Sequence, residues 1–372
     1  MQLVAQRAHL SALADAGRLR TLAPRRGVDL SSNDYLALSS APRLVAAAQA
    51  ALARGVALGS GGSRLLRGND AEHEALEAEV AAFFGAEAAL SFGSGYAANT
   101  ALLSSVPQSG DLIVYDALVH ASMHDGMRLG RATCVAAAHG DPQAADDAIA
   151  VWRSGGGTGT PWIAVESLYS MDGDLTDVAA YLAVADRHDA MLVVDEAHAT
   201  GVWGAGGRGV AEAWHGRENL VTLNTFGKAL GCEGAVLCGP AIVRDFLIAR
   251  ARPFIFSTAP SPLSAAVARE SLRIVADEPD RRAKLHALIE AARRHLSPLG
   301  ARVESQIVPL VIGDDRATMR VAAAVQAAGF DVRGIRPPTV PAGTARLRIA
   351  LTLHVDEGQI AALADVLKEV LP

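Results

Sequence analysis

Met191-Leu192-Val193-Val194-Asp195-Glu196-Ala197-His198 is the stretch that decides the fold. Four apolar residues in a row end in an acid, and a histidine follows three positions later. That pattern reads as a strand buried on both faces whose last residue opens onto a polar edge. Comparable runs lie on either side of it: Ala88 to Phe92, Leu112 to Tyr115, Trp162 to Val165 and Val221 to Leu223. Each is short, bounded by turn or charged residues, and separated from the next by one or more helix-length segments. The expectation is an α/β chain with a large, doubly wound, mostly parallel sheet. Ligand sites in such sheets gather at the carboxyl ends of the strands, so the polar residues that follow each run are the ones to weigh.

Beyond residue 260 the pattern changes. Leu263 to Pro298 reads as helical, then strands near Ile307 to Ile312, Asp331 to Gly334 and Arg346 to Leu351 alternate with helices near Ala317 to Ala328 and from Asp356. This predicts a smaller α+β C-terminal domain over 261–372, a large domain over 36–260, and an N-terminal helix and substrate-contacting segment over 1–35. A chain of 372 residues, half hydrophobic and a fifth charged, is long enough for two lobes with packed interiors. Its net charge of −6 gives no basic footprint for nucleic acid. No apolar run reaches the roughly 18–20 residues of a membrane helix. Three cysteines, Cys134, Cys232 and Cys238, form neither a disulfide framework nor a C-x-x-C motif, and a reducing cytoplasm is the expected setting.

Five strand-end segments carry chemistry. Asp195 ends its strand where a buried carboxylate needs a cationic or hydrogen-bonding partner, and His198 follows. In Thr225-Phe226-Gly227-Lys228-Ala229 a single lysine stands in a Gly/Ala-rich stretch, a setting that desolvates an amine toward Schiff-base chemistry. Ser91-Phe92-Gly93-Ser94-Gly95-Tyr96 is a glycine turn that opens a helix, an arrangement able to hold phosphate on backbone N–H groups. His120 follows the strand ending at Tyr115. Its i,i+4 spacing to His124 lacks the H-E-x-x-H glutamate and any third ligand, so no metal is expected. Glu166 to Asp174 supplies a carboxylate, two serines and an Asp-Gly turn. Gly204-Ala205-Gly206-Gly207-Arg208-Gly209 matches G-x-G-x-x-G in letters but not in place, since it sits well past the strand with no helix start. A dinucleotide site is rejected there. Each segment alone has a plain structural reading as a strand-end turn. Together they bring an acid, a lysine, a glycine turn and a histidine to neighbouring strand ends.

On these residues the chain resembles the α-oxoamine synthase group of fold type I pyridoxal-phosphate enzymes. The likeness runs from Ser31-Ser32-Asn33-Asp34-Tyr35 through Gly59-Ser60-Gly61-Gly62-Ser63-Arg64 and the Asp195 and Lys228 blocks to Ile335-Arg336-Pro337-Pro338-Thr339-Val340-Pro341. That last stretch points to the biotin-pathway branch. The resemblance implies a homodimer that joins L-alanine to a pimeloyl thioester, pimeloyl-CoA or pimeloyl-acyl-carrier protein, with loss of CO2 and free thiol. It implies that Lys228 holds pyridoxal 5'-phosphate and moves the substrate proton, and that Asp195 pairs with the pyridinium nitrogen. His198 and Ser170 would bond the ring oxygen, and His120 would stack on the ring. Gly95, Tyr96 and Thr225 would hold the phosphate, with Ser257 and Thr258 reaching the partner's phosphate. Glu166 would lie near the reacting carbonyl, Arg336 and Asn33 would take the amino-acid carboxylate, and Arg20 and Thr339 would contact the acyl chain. Readings that remain open are a relative using glycine or serine with another acyl-CoA, an aminotransferase of the same fold, and a non-catalytic pyridoxal-phosphate-binding regulator.

Overall fold

A computed structural model describes residues 2–371. Its strands, in chain order, are β1 (Val28–Asp29), β2 (Ala88–Phe92), β3 (Leu112–Asp116), β4 (Thr133–Ala137), β5 (Pro161–Glu166), β6 (Met191–Asp195), β7 (Leu220–Thr225), β8 (Ala235–Gly239), β9 (Ile307–Gly313), β10 (Phe330–Asp331), β11 (Arg333–Ile335) and β12 (Ala345–Ala350). The chain divides into two compact units. One runs over Leu36–Ser170 and Asp174–Ala283, and the other gathers the chain up to Tyr35, Met171–Gly173 and the chain from Lys284.

The larger unit holds a seven-stranded sheet in the order β2-β8-β7-β6-β5-β3-β4. Neighbours from β4 to β7 are parallel, whereas β8 runs antiparallel to both β2 and β7. The connection from β7 to β8, Phe226 to Gly234, is too short for a helical crossover, so the chain must return antiparallel. Strand period 2 sorts the apolar residues onto two faces. Met191 and Val193 of β6 pack into one core with the helix Gly95–Ser105, whereas Leu192 and Val194 pack into another with the helices Pro142–Ser154 and Val178–Arg187. Each fully buried Val or Leu is worth about 1.5–3 kcal/mol relative to exposure. The same parity sends Trp162 and Ala164 of β5, and Val221 and Leu223 of β7, to the first face. It therefore predicts that Glu166, Asp195 and Thr225, the final residues of these strands, share that face.

This unit extends past the change of pattern near residue 260. The helix Pro262–Asp277 packs on Pro42–Ala53 and Ala71–Phe84. Arg43 bonds Glu270, Asp277 and Glu278, and Arg269 bonds Glu72 and Glu79. These contacts hold that helix with the large sheet, so the expected boundary at 260 moves to Ala283.

The smaller unit pairs β11-β12-β9 antiparallel and β1 with β10 parallel. Its helices include Asp315–Ala327 and Glu357–Val370, each opened by an Asp side chain accepting a first-turn N–H. The loop Met171–Gly173 belongs here because Arg346 binds Asp172 and Ser305 Oγ donates to the Gly173 carbonyl at 2.7 Å. The helix Val4–Asp15 buries none of its residues, and the chain is irregular from Arg18 to Gly27, so the helix fills less than half of the N-terminal segment.

Candidate functional site

The carboxyl edge of the large sheet gathers most of the expected residues. Asp195 closes β6, buried, with Oδ2 accepting from Asn99 Nδ2 at 2.7 Å and Oδ1 accepting from the Ala197 backbone N–H at 2.9 Å. Each carboxylate oxygen keeps a lone pair for a cation. Glu166 closes β5 directly beside it, since the parallel register pairs Glu166 with Asp195. Glu166 is buried and its Oε1 meets no hydrogen-bond partner. Burial pushes its carboxyl well above the usual range, and the neighbouring Asp195 pushes it further against the opposing pull of Lys228. Burial and the neighbouring carboxylate both favour the protonated form of Glu166.

Lys228 lies in the turn after β7, half-buried. Thr225 at the end of β7 donates its hydroxyl to the Gly234 carbonyl at 3.1 Å and accepts from the Gly227 N–H at 3.2 Å. Its proton thus already has an acceptor. His198 is buried in the turn after β6, and Ser170 lies half-buried in the turn after β5. His120 precedes the helix Ala121–Leu129 and accepts the Ser122 N–H on Nδ1 at 3.2 Å. Burial lowers its basicity; Asp195 opposes this, while Lys228 and His124 reinforce it. The expectation that β2 runs into a phosphate-competent turn meets a clear geometry. Ser94 caps the helix Gly95–Ser105 by accepting the Ala97 N–H at 3.1 Å, and the N–H groups of Gly95 and Tyr96 have no carbonyl inside the helix to bond. A Cβ on Gly93 would meet nothing. The Tyr96 side chain is exposed and bonds Asp125, with its ring edge-on to His120 at 6.4 Å.

Ser257 and Thr258 are exposed, in an extended stretch pinned by the Ala259 N–H on the Gly62 carbonyl at 2.8 Å. In the smaller unit, Asn33 Oδ1 accepts from Tyr35 Oη at 3.0 Å and from Arg348 at 3.1 Å. Arg20 donates to Thr339 Oγ1 at 2.9 Å on the surface. Arg336 donates to the Leu19 carbonyl at 3.2 Å, and its buried Nε has no partner.

Sequence reasoning missed Asn99 and Ser122, both buried at the site. The signal was there: Asn99 is a lone amide in the Ala-rich opening of a helix, and Ser122 sits two residues from His120. It also missed Arg348, buried in β12 and bonded to Asn33. Among the described residues no three metal-ligating side chains converge. The Gly204–Gly209 run folds over carboxylates: Glu196 takes the N–H groups of Val210 and Ala211, and Glu212 takes those of Gly206 and Arg208. Gly209 has φ +98°, and a Cβ there would sit 2.5 Å from the Glu196 carboxyl, so this run is a structural cage.

These features fit pyridoxal phosphate. A protonated ring nitrogen suits Asp195, an aldehyde suits a half-buried amine, and a phosphate suits open N–H groups at a helix start.

A family model described as aminotransferase class I and II matches residues 25–367. The chain is 42% identical over 387 residues to an 8-amino-7-oxononanoate synthase of Anaeromyxobacter dehalogenans, covering 98% of this chain and 96% of that one. It is 44% identical over 347 residues to an enzyme of the same name from Methylobacterium radiotolerans, covering 92% and 88%. Among solved structures it is similar to a serine palmitoyltransferase from S. paucimobilis with bound PLP and myriocin, with TM-score 0.89, 27% identity and 99% and 97% coverage. It is also similar to an 8-amino-7-oxononanoate synthase from Francisella tularensis, with TM-score 0.78, 27% identity and 92% and 97% coverage.

Proposed function

The chain belongs to the class I and II aminotransferase family and, within it, to the 8-amino-7-oxononanoate synthases, and on that premise we propose how its residues divide the work. It is an acyltransferase of biotin biosynthesis that uses pyridoxal phosphate to condense L-alanine with a pimeloyl thioester. The new bond joins the alanine α-carbon to the acyl carbon. The C–S bond breaks and releases the thiol, and the alanine carboxylate leaves as CO2. The observation that carries the residue assignment is Asp195. It is a buried strand-end carboxylate, held by two N–H donors, beside Glu166, on which Lys228 also acts.

When bound, the cofactor supplies an electron sink for negative charge developing at the alanine α-carbon. Asp195 keeps the ring nitrogen protonated, which deepens that sink. Lys228 would hold the cofactor through its aldehyde carbon, and its Nζ would take the α-proton of alanine and later return one to the same carbon. His120 covers the ring face, and its lowered basicity keeps it uncharged there. His198 and Ser170 hold the ring oxygen. The N–H groups of Gly95 and Tyr96 take the phosphate, and Thr225 joins them by turning its hydroxyl from Gly234. Glu166, protonated, donates to the reacting carbonyl region. Arg336 and Asn33 take the alanine carboxylate, and Arg20 with Thr339 meets the acyl chain. The exposed Ser257 and Thr258 serve the phosphate of a second copy in a homodimer. Three free cysteines, one of them exposed, suit a reducing cytoplasm.

The test is an absorbance spectrum of the purified chain with pyridoxal phosphate, then with L-alanine, then with pimeloyl-CoA or pimeloyl-acyl-carrier protein. The expected result is a cofactor band that shifts with alanine and free thiol released only after the pimeloyl thioester is added. The ratio of kcat/KM for the two thioesters identifies the natural donor. A band responding to serine or glycine and not to alanine overturns the substrate assignment. An unchanged band in Lys228→Ala overturns the lysine assignment.

A further inference from the structure

Asp195 and His120 sit on different elements, yet one unbroken chain of hydrogen bonds connects them. Asn99 Nδ2 has two hydrogens and two acceptors: Asp195 Oδ2 at 2.7 Å and Ser122 Oγ at 3.0 Å. With a lone pair taken by Asn99, Ser122 Oγ turns its own proton to His120 Nδ1 at 2.8 Å. The Ser122 backbone N–H points at the same nitrogen, which must therefore be an acceptor. His120 is accordingly the neutral tautomer with its proton on Nε2. Flipping the Asn99 amide would face its oxygen to the Asp195 carboxylate, so the orientation has one solution. The chain carries a cost: Asn99 Oδ1 is buried with no donor. An amide kept only for packing would be replaced by an apolar residue without that loss. Backbone geometry is shaped to the same end. Gly126 lies one turn after Ser122, and a Cβ there would come within 3.0 Å of the Asn99 carbonyl, so its absence lets the two helices close to bonding range.

We propose that Asn99 and Ser122 are positioning residues that tie the aim of the Asp195 carboxylate to the tautomer of His120 in a single hydrogen-bonded chain. The inference rests on the proposed cofactor roles of Asp195 and His120. With Asn99 present, the Ser122 hydroxyl is committed as a donor to Nδ1 and opposes its protonation. Without Asn99 the hydroxyl is free to turn and accept from a protonated Nδ1. The groups acting on the His120 ring are otherwise Asp195, which favours protonation, and Lys228 and His124, which oppose it, with the Tyr96 ring edge-on.

The test is a 15N NMR titration of histidine-labelled full-length protein, with and without pyridoxal phosphate, His120 being assigned by its loss in His120→Gln. Wild type is expected to show the Nε2–H tautomer. Asn99→Leu, which touches neither His120 nitrogen, is expected to raise the pH of His120 protonation by about one unit, tenfold in proton affinity. Ser122→Ala is expected to raise it too, and to make Asn99→Leu silent on His120 in the double variant. The loaded Asn99→Leu protein is also expected to lose kcat with little change in KM for the pimeloyl thioester. If Asn99→Leu does not fold, Ser122→Ala alone carries the titration. An unchanged His120 titration in a folded variant overturns the proposal, as does an Nδ1–H tautomer in wild type. Failure of wild type to release thiol, with the His120 coupling intact, would strike the reaction assignment and leave the hydrogen-bonded chain standing.

Discussion

Two strand ends of the large sheet place a histidine near a buried aspartate, and one histidine is charged while the other is neutral. At the end of β3, His139 meets Asp116 directly at 3.0 Å on one nitrogen and Asp174 at 2.9 Å on the other. The hydrogen bonds to those carboxylates raise its pKa to about 10, so it is an imidazolium at neutral pH. At the end of β6, His120 reaches Asp195 only through Asn99 and Ser122, and burial lowers its pKa. The lesson is that proximity to a carboxylate does not set a histidine's charge. What matters is whether the intervening contact presents an acceptor or a donor to the ring. The first site is a clamp that holds loops, with the Tyr169 ring edge-on to His139 at 4.4 Å. The second leaves its histidine neutral.

That contrast can be broken most sharply by exchanging carboxylates for amides. Asp195→Asn is expected to lower kcat/KM by about 10²–10³-fold, the scale of removing one preorganised electrostatic partner, with the fold intact. Asp116→Asn is expected to lower stability instead and leave kcat little changed, and steady-state kinetics beside urea unfolding separates the two. Next in size, His139→Gln should cost about 2–3 kcal/mol of unfolding free energy, short of a fully buried pair because 28% of its side chain is exposed. His120→Gln should cost less than about 1 kcal/mol.

The pH dependence has opposite signs at the two histidines. His139 is raised from about 6.5 to about 10, so the folded protein binds its proton more tightly; that stability is present below pH 6.5 and is lost as pH rises through 10. His120 is lowered, so its contribution is lost as pH falls below the ordinary histidine range. Urea midpoints of wild type measured from pH 5 to 10 should fall at the alkaline end, and His139→Gln should flatten that limb. Glu196 adds a third window, because burial pushes it up to about 7 against three hydrogen-bond donors. The native state holds its proton across pH 4.5 to 7, so stability declines over that window as pH rises. Glu196→Gln should flatten that decline, which amounts to about 3 kcal/mol across the window.

The sheet was legible because apolar runs with turn-rich borders have few other readings. β4 and β8 were not. The residues of β4 are mostly exposed on the edge of the sheet, and the apolar residues of Thr133 to Ala137 are small ones beside the single Val135, which give a weak strand signal. Ala235 to Gly239 follows a glycine-rich turn rather than a helix, and its antiparallel direction comes from a short connection that composition does not announce. At the site, residue types and strand-end positions marked Asp195, Lys228 and His120. Asn99 escaped because its importance lies in what it bonds across 96 positions of sequence, a relation that no local pattern carries. The extra reach of the larger unit to Ala283 was equally hidden, since it depends on arginine clusters meeting acids from helices far away in the chain.

The smaller unit, assembled from three separated segments, also has a schedule. β1 pairs Val28 with Phe330 and Asp29 with Asp331. On a ribosome adding about 5–20 residues per second, the partner of the first strand emerges roughly 15–60 s after it. Every segment of the larger unit has been made by then. The strand at Val28–Asp29 therefore leaves the ribosome long before the strand that pairs with it.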